Sequence, residues 1–240
     1  MANVDAASWV HTFSLDYGTT KIRVTHRLSR IDDAPNPHTV RLLRLQKGEP
    51  IIPSQVGFVK EGAGQHKFYW GLELKDALER SRTHKDEVFE FHGLKMCLYP
   101  TDMQGDHRDI LEEQLQRFRQ VARRQYSTEP EDIIKAHLRD IRTSAMAAVL
   151  DTYKGVYTVS QLERMSQRWS FTVPEIATLA TNQNFAQLIK AAGYPKGIML
   201  MTETEAAAAW QMHLYSQGIQ GLPGELQASG IRRLPRCTAC

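Results

Sequence analysis

The chain has 240 residues, 42% hydrophobic and 24% charged, which suits one large domain or two small ones and a folded, water-soluble protein. Its 30 basic and 27 acidic side chains leave a net charge of +3, too little for the concentrated basic face that a nucleic-acid backbone selects. No nucleic-acid partner is expected. No apolar run reaches the ~20 residues of a membrane-spanning helix, and the N-terminus, with Asp5, lacks an apolar signal-peptide core. Neither a membrane nor a secretory route is expected, and a cytoplasmic address follows by default.

In chain order, Phe13 and Leu15, then Ile22 and Val24, follow the two-residue period of strands on either side of "DYGTT", which predicts a β-hairpin. Residues 38–75, with "TVRLLRLQKGEPIIPSQVGFV" and "HKFYWGLEL", are rich in β-branched and aromatic residues and broken by Gly and Pro. They read as short antiparallel strands. From Arg108 the period becomes helical, through Leu111, Leu115, Phe118 and Ala122.

A second helix is signalled by Thr128 with Glu131 three residues on, a capping-box spacing, and by the stripe Ile134, Leu138, Ile141, Ala145 and Val149. "RWSFTVP" reads as a strand stopped by Pro174, and Phe185, Leu188, Ile189 and Ala192 line a helix ended by Gly193. "GIMLM" reads as a short buried strand, and the alanine-rich run Glu205 to Tyr215 as a helix. Strands alternating with helices imply an α/β layer architecture.

Three cysteines, Cys97, Cys237 and Cys240, cannot build a disulfide framework, and one C-x-x-C without a second pair or nearby His is a weak metal signal. They read as reduced thiols. The final "CTAC" behind "IRRLPR" has the outline of a prenylation box, but its middle residues are not aliphatic.

Five segments, "LDYGTT", "IIPSQVGF", "WGLELKDAL", "FTVPEIATLATNQNFAQLIKAAGY" and "IMLMTETEAAAAW", stand in an order that resembles the seventy-kilodalton heat-shock chaperone ATPases of the actin and sugar-kinase superfamily. The likeness is greatest to their divergent relatives and spans Phe13 to Trp210. It implies an α/β fold, the ribonuclease-H-like first lobe of an actin-like ATPase with a small inserted α+β subdomain. Residues 10–215 would form this lobe, with the insertion and its helices in 31–129, and 216–240 would be a loop-rich, poorly ordered tail.

The resemblance also implies a nucleotide site for ATP and Mg²⁺. Asp16 would hold the metal through water, while Gly18, Thr19 and Thr20 surround the terminal phosphates with Lys21 beside them. Turn amides and hydroxyls donate to phosphate oxygens, and Gly permits close approach of the backbone. Lys75 falls where the family has a lysine that neutralises charge on the transferred phosphoryl group. Glu203 falls where an acidic residue positions metal and water, although Thr204 stands in place of the family's proline. Taken singly, Asp16, Gly18 and Thr19 better suit an ordinary hairpin turn, and Lys75 a solvated helix start; the resemblance rests on the set.

After Tyr215 the family has a second loop, Asp-x-Gly-Gly-Gly-Thr; here "SQGIQGLPGELQASGIRRLPRCTAC" follows. The expectation is therefore a truncated heat-shock-like nucleotide-binding domain with a remnant ATP/Mg²⁺ site and no turnover by this chain alone. The alternative is a nonenzymatic interaction module that pairs with a protein partner, or with itself, through the exposed face of the lobe.

Overall fold

The alternation that opens the chain becomes a long antiparallel hairpin, β1 (Trp9–Tyr17) against β2 (Lys21–Arg30), with Asp16 opposite Arg23 and Tyr17 opposite Ile22. The computed structural model of the chain describes residues 6–33, 39–61, 65–80, 88–99, 107–122 and 127–216. Successive strand residues face opposite sides. Phe13, Leu15 and Tyr17 are accordingly buried on one face, while Thr12, Ser14 and Asp16 lie on the other.

Two short strands, β3 (Arg41–Leu42) and β4 (Ile52–Pro53), add to β2. A separate antiparallel sheet then forms from β5 (Val56–Glu61), β6 (Gln65–Trp70) and β7 (Val88–Phe91), with β5 in the middle. Helix α1 (Gly71–Arg80) follows β6 directly and buries Leu74 and Ala77 against Val59 and Tyr69. The "WGLEL" segment, expected as strand, thus changes state at Gly71. Its φ of +57° turns the chain out of the strand, and Leu74, Ala77 and Leu78 supply a helical stripe.

After β7 comes a 3-10 helix over Leu94–Leu98, then α2 (His107–Ala122), whose Phe118 stacks on Phe58 at 4.4 Å between ring centroids. Helix α3 (Pro130–Thr152) buries Ile134, Leu138, Ile141, Ala145 and Val149, the stripe read from the sequence. Its N-cap is Glu129, without a side-chain cap bond, and the expected Thr128–Glu131 box is absent. Pro130 at the first helical position fixes the helix start one residue later than Thr128 would. A true capping box forms instead at Thr158 and Gln161, opening α4 (Val159–Arg164).

The last elements are β8 (Ser166–Val173), α5 (Leu179–Ala191) and β9 (Met199–Thr202). Strand β8 joins β1 in parallel and β9 joins β8 in parallel, so the larger, six-stranded sheet runs β3-β2-β1-β8-β9 with β4 also on β2. Strand β9 was expected to be buried, yet Met199 is 52% exposed. The strand ends the sheet with β8 as its ladder partner, a position that hydropathy alone does not reveal.

Phe13 stacks on Trp169 of β8 at 4.1 Å, Tyr17 on Phe185 of α5 at 6.0 Å, and the Tyr194 hydroxyl donates to the Leu138 carbonyl at 2.9 Å. These contacts seat α3 and α5 on the buried face of β1. The fold is mixed α/β, and it divides into two compact units, Met1–Thr202 and Glu203–Cys240, the second containing α6 (Glu203–Ser216).

Among the described residues no helix is long and apolar enough to cross a membrane. Cys97 is half-buried and unbridged, and burial pushes its thiol up to about 11, so it stays protonated at neutral pH. The tail from 217 onward, with Cys237 and Cys240, lies outside the described residues.

Candidate functional site

The turn between β1 and β2 gathers most of the residues singled out in the sequence. Gly18 N–H donates to the Lys21 carbonyl at 3.0 Å, closing the turn, while Thr19, Thr20 and Lys21 are exposed. A Cβ on Gly18 would stand 2.6 Å from the Lys21 carbonyl oxygen, so the turn is too tight for any other residue without backbone movement. Ser54 N–H donates to the Thr20 carbonyl at 2.9 Å and ties the turn to the segment after β4.

Asp16 lies on the face of the sheet opposite the core, its side chain 36% exposed. Its carboxylate accepts from the Thr172 hydroxyl of β8 at 3.0 Å and from Arg23 Nη1 at 3.4 Å. The parallel pairing of β1 with β8 brings Thr172 there, and the hairpin register brings Arg23.

Two interactions fix the residue between Asp16 and Gly18. The Tyr17 hydroxyl shares a hydrogen bond with His137 Nδ1 at 3.1 Å, inside the core. Burial lowers the His137 imidazole to about 3 and raises the Tyr17 phenol, so both are neutral. The Tyr17 carbonyl accepts from the ammonium of Lys95, a side chain only 3% exposed whose Nζ also stands 5.8 Å from the Tyr17 ring centre. Gly93, at φ +66°, opens the 3-10 helix that carries Lys95, and its Cβ position lies 3.7 Å from the Thr19 methyl. The 3-10 segment therefore rests against the turn.

Lys95 was not singled out in the sequence. Its signal there is a lone charge inside "GLKMCLYP", but the carbonyl it meets is 78 residues away. Lys75 stands on the exposed side of α1, next to Asp76, which pairs with Lys47. Glu203 is exposed, opens α6 directly after Thr202, and belongs to the second compact unit. The structure thus joins Asp16, Gly18, Thr19, Thr20 and Lys21 in one turn, flanked by Thr172 and Lys95, with Lys75 on a separate element.

The donor set of this turn suits an oxyanion with a divalent cation. Exposed hydroxyls can donate to phosphate oxygens, and Lys95 holds the Tyr17 carbonyl at the base of the turn. Among the described residues no group of three or more His, Cys, Asp or Glu could hold a metal by itself. No protein-family model matches the chain, and no curated protein matches it either.

Proposed function

We propose that this chain is the phosphate-binding lobe of an ATPase of the actin and sugar-kinase type, related to the seventy-kilodalton heat-shock chaperones. The observation that carries the reading is a glycine-closed turn with two exposed threonines, preceded by the Asp16 carboxylate on one face of the sheet and, on the other, by Tyr17, whose carbonyl Lys95 holds. The sheet order, with an antiparallel hairpin followed by two parallel strands, supports the same reading.

In this proposal the turn, closed by the Gly18 N–H, presents the Thr19 and Thr20 hydroxyls to the phosphates. Asp16, held in place by Thr172, takes Mg²⁺ through the metal's waters. Bound Mg²⁺ would supply charge neutralisation between phosphate oxygens. Lys95 holds the Tyr17 carbonyl and adds positive charge beneath the turn. Lys75 and Glu203 keep the roles of phosphoryl-charge and water-positioning residues by resemblance alone. Because phosphoryl transfer needs groups on both sides of the phosphates, and these 240 residues hold one such loop, the proposal is of binding without turnover by this chain alone.

Titration with ATP, with and without Mg²⁺, followed by phosphorus NMR, tests the reading. The expected dissociation constant is on the order of millimolar, roughly −4 kcal/mol. Asp16→Asn should remove the Mg²⁺ dependence, Lys95→Met should weaken binding at least fivefold, and a coupled assay should detect no phosphate release. Binding of equal strength in wild type and both variants would exclude this site. A nonenzymatic interaction module draws its support from β9, a four-residue edge strand with an exposed Met199. Concentration-dependent self-association without any nucleotide response would favour it.

A further inference from the structure

On the face of the main sheet away from the core, β1 presents Thr12, Ser14 and Asp16, and the antiparallel register sets them opposite Arg27, Thr25 and Arg23 of β2. Asp16 is the one carboxylate that β1 carries, at its last outward position before the Gly18 turn.

The two oxygens of this carboxylate have different partners. Oδ1 accepts from the Thr172 hydroxyl at 3.0 Å, and Oδ2 accepts from Arg23 Nη1 at 3.4 Å. The two bonds differ in how readily they yield. Thr172 is a β-branched residue with a stiff χ1, on a strand that lies between β1 and β9, so its hydroxyl is held in position. The Arg23 bond is single and long, not the parallel pair that a guanidinium makes with a carboxylate at its strongest, and the Arg23 side chain is 46% exposed. Such a pair is worth little, so Arg23 can turn away into water at small cost.

With Oδ1 engaged by Thr172, Oδ2 is the oxygen left for a hydrated cation, and the Asp16 side chain is exposed enough, at 36%, for one to reach it. That is the oxygen Arg23 covers. A divalent cation and a guanidinium at one oxygen repel each other, so the two exclude one another there.

We propose that Arg23 is a built-in counter-ion of Asp16, which covers the carboxylate in the empty site and is displaced when a divalent cation settles there. The inference rests on the reading of Asp16 as the cation's carboxylate, and it gives Arg23 the role of a specificity-determining residue that selects against a bare cation.

The test uses the full chain, labelled with nitrogen-15, and Mn²⁺ alone without nucleotide. Paramagnetic broadening of the backbone amides of residues 15–20 reads occupancy at the turn. Arg23→Gln should bind Mn²⁺ at least threefold more tightly than wild type. Threefold is about 0.7 kcal/mol at 1.4 kcal/mol per tenfold, the size of an exposed ion pair. Arg23→Thr, with a side chain suited to a strand, takes its place if Arg23→Gln does not fold. Arg168→Gln removes the same charge from the same face, opposite Thr12 and away from Asp16, and should bind Mn²⁺ as wild type does. Asp16→Asn should abolish the broadening. Equal or weaker Mn²⁺ binding in a folded Arg23 variant, or an equal gain in Arg168→Gln, would overturn the counter-ion role and leave the reading of Asp16 in place. Broadening that survives Asp16→Asn, or none in wild type and Arg23→Gln alike, would overturn both.

Discussion

His11 and His26 meet inside the core with Nδ1 and Nε2 3.0 Å apart, and His11 Nε2 lies 3.1 Å from the Leu162 carbonyl. A neutral pair satisfies all of these atoms. His11 Nε2–H donates to Leu162, which leaves His11 Nδ1 to accept from His26 Nε2–H. Protonating His11 would set two donors against each other. Burial lowers His11 despite the favourable Leu162 bond; it lowers His26 to about 3, helped by His11 and Arg41, and His137 to about 3.

Since the unfolded groups titrate near 6.5, the denatured chain binds more protons than the native one from about pH 6.5 down to about 3. Stability should therefore be full above pH 6.5 and fall with acid through that window. The slope is roughly 1.4 kcal/mol per pH unit for each proton of difference. Urea denaturation at a series of pH values between 7.5 and 4 measures this directly. His137→Leu should reduce the slope by about one proton's worth, and an unchanged slope would remove His137 from the account.

At the scale of elements, the junction of β6 and α1 shows what one glycine does. A Cβ on Gly71 would stand 2.3 Å from Ile52 Cγ2 and 2.6 Å from Gln46 Oε1. Gln46 occupies that space because its amide serves both sides of the junction: Oε1 accepts from Leu72 N–H at 2.8 Å, and Nε2 donates to the Trp70 carbonyl at 3.3 Å. Gly71→Ala combines left-handed strain with overpacking and should cost about 2–5 kcal/mol. Gly48→Ala, at φ +76° with open space around it, should cost only the strain, about 1 kcal/mol. Chemical denaturation of the two variants side by side checks the difference.

Gly71 also marks a limit of sequence reading. The hairpin at Phe13–His26, the stripe of α3 and the stripe of α5 were legible because each is a local period on one chain segment. The strand-to-helix switch at Gly71 was not, because the contacts that hold the junction and exclude a side chain there come from Gln46 and Ile52, residues distant in sequence. The candidate site divides in the same way. Asp16, Gly18, Thr19 and Thr20 fall within five successive residues and could be read together. Thr172 and Lys95 come to the turn through sheet pairing and a 3-10 segment, and no spacing in the chain announces either.

At the scale of the whole molecule, the main sheet depends on a distant partner. Val10 lies opposite Ser166 and Leu15 opposite Phe171, and the bond from Thr172 to Asp16 joins residues 156 apart. The β5–β6 ladder, by contrast, joins near neighbours such as Val59 and Lys67. Loop-closure entropy favours the local ladder first. Pulsed hydrogen exchange during refolding should protect β5 and β6 amides before those on the β8 side of β1; simultaneous protection would mean a single cooperative step.

The same parallel pairing has a consequence in time on the ribosome. At about 5–20 residues per second, roughly 8–30 s pass between synthesis of β1 and of its partner strand. Throughout that interval β1 can close its hairpin with β2, but its other ladder edge has no native occupant. An unpaired edge flanked by Phe13 and Leu15 is a template for any other extended chain nearby. The nascent protein is thus most exposed to aggregation before residue 166 emerges, and its yield in the cell should depend on chaperones that act on the growing chain.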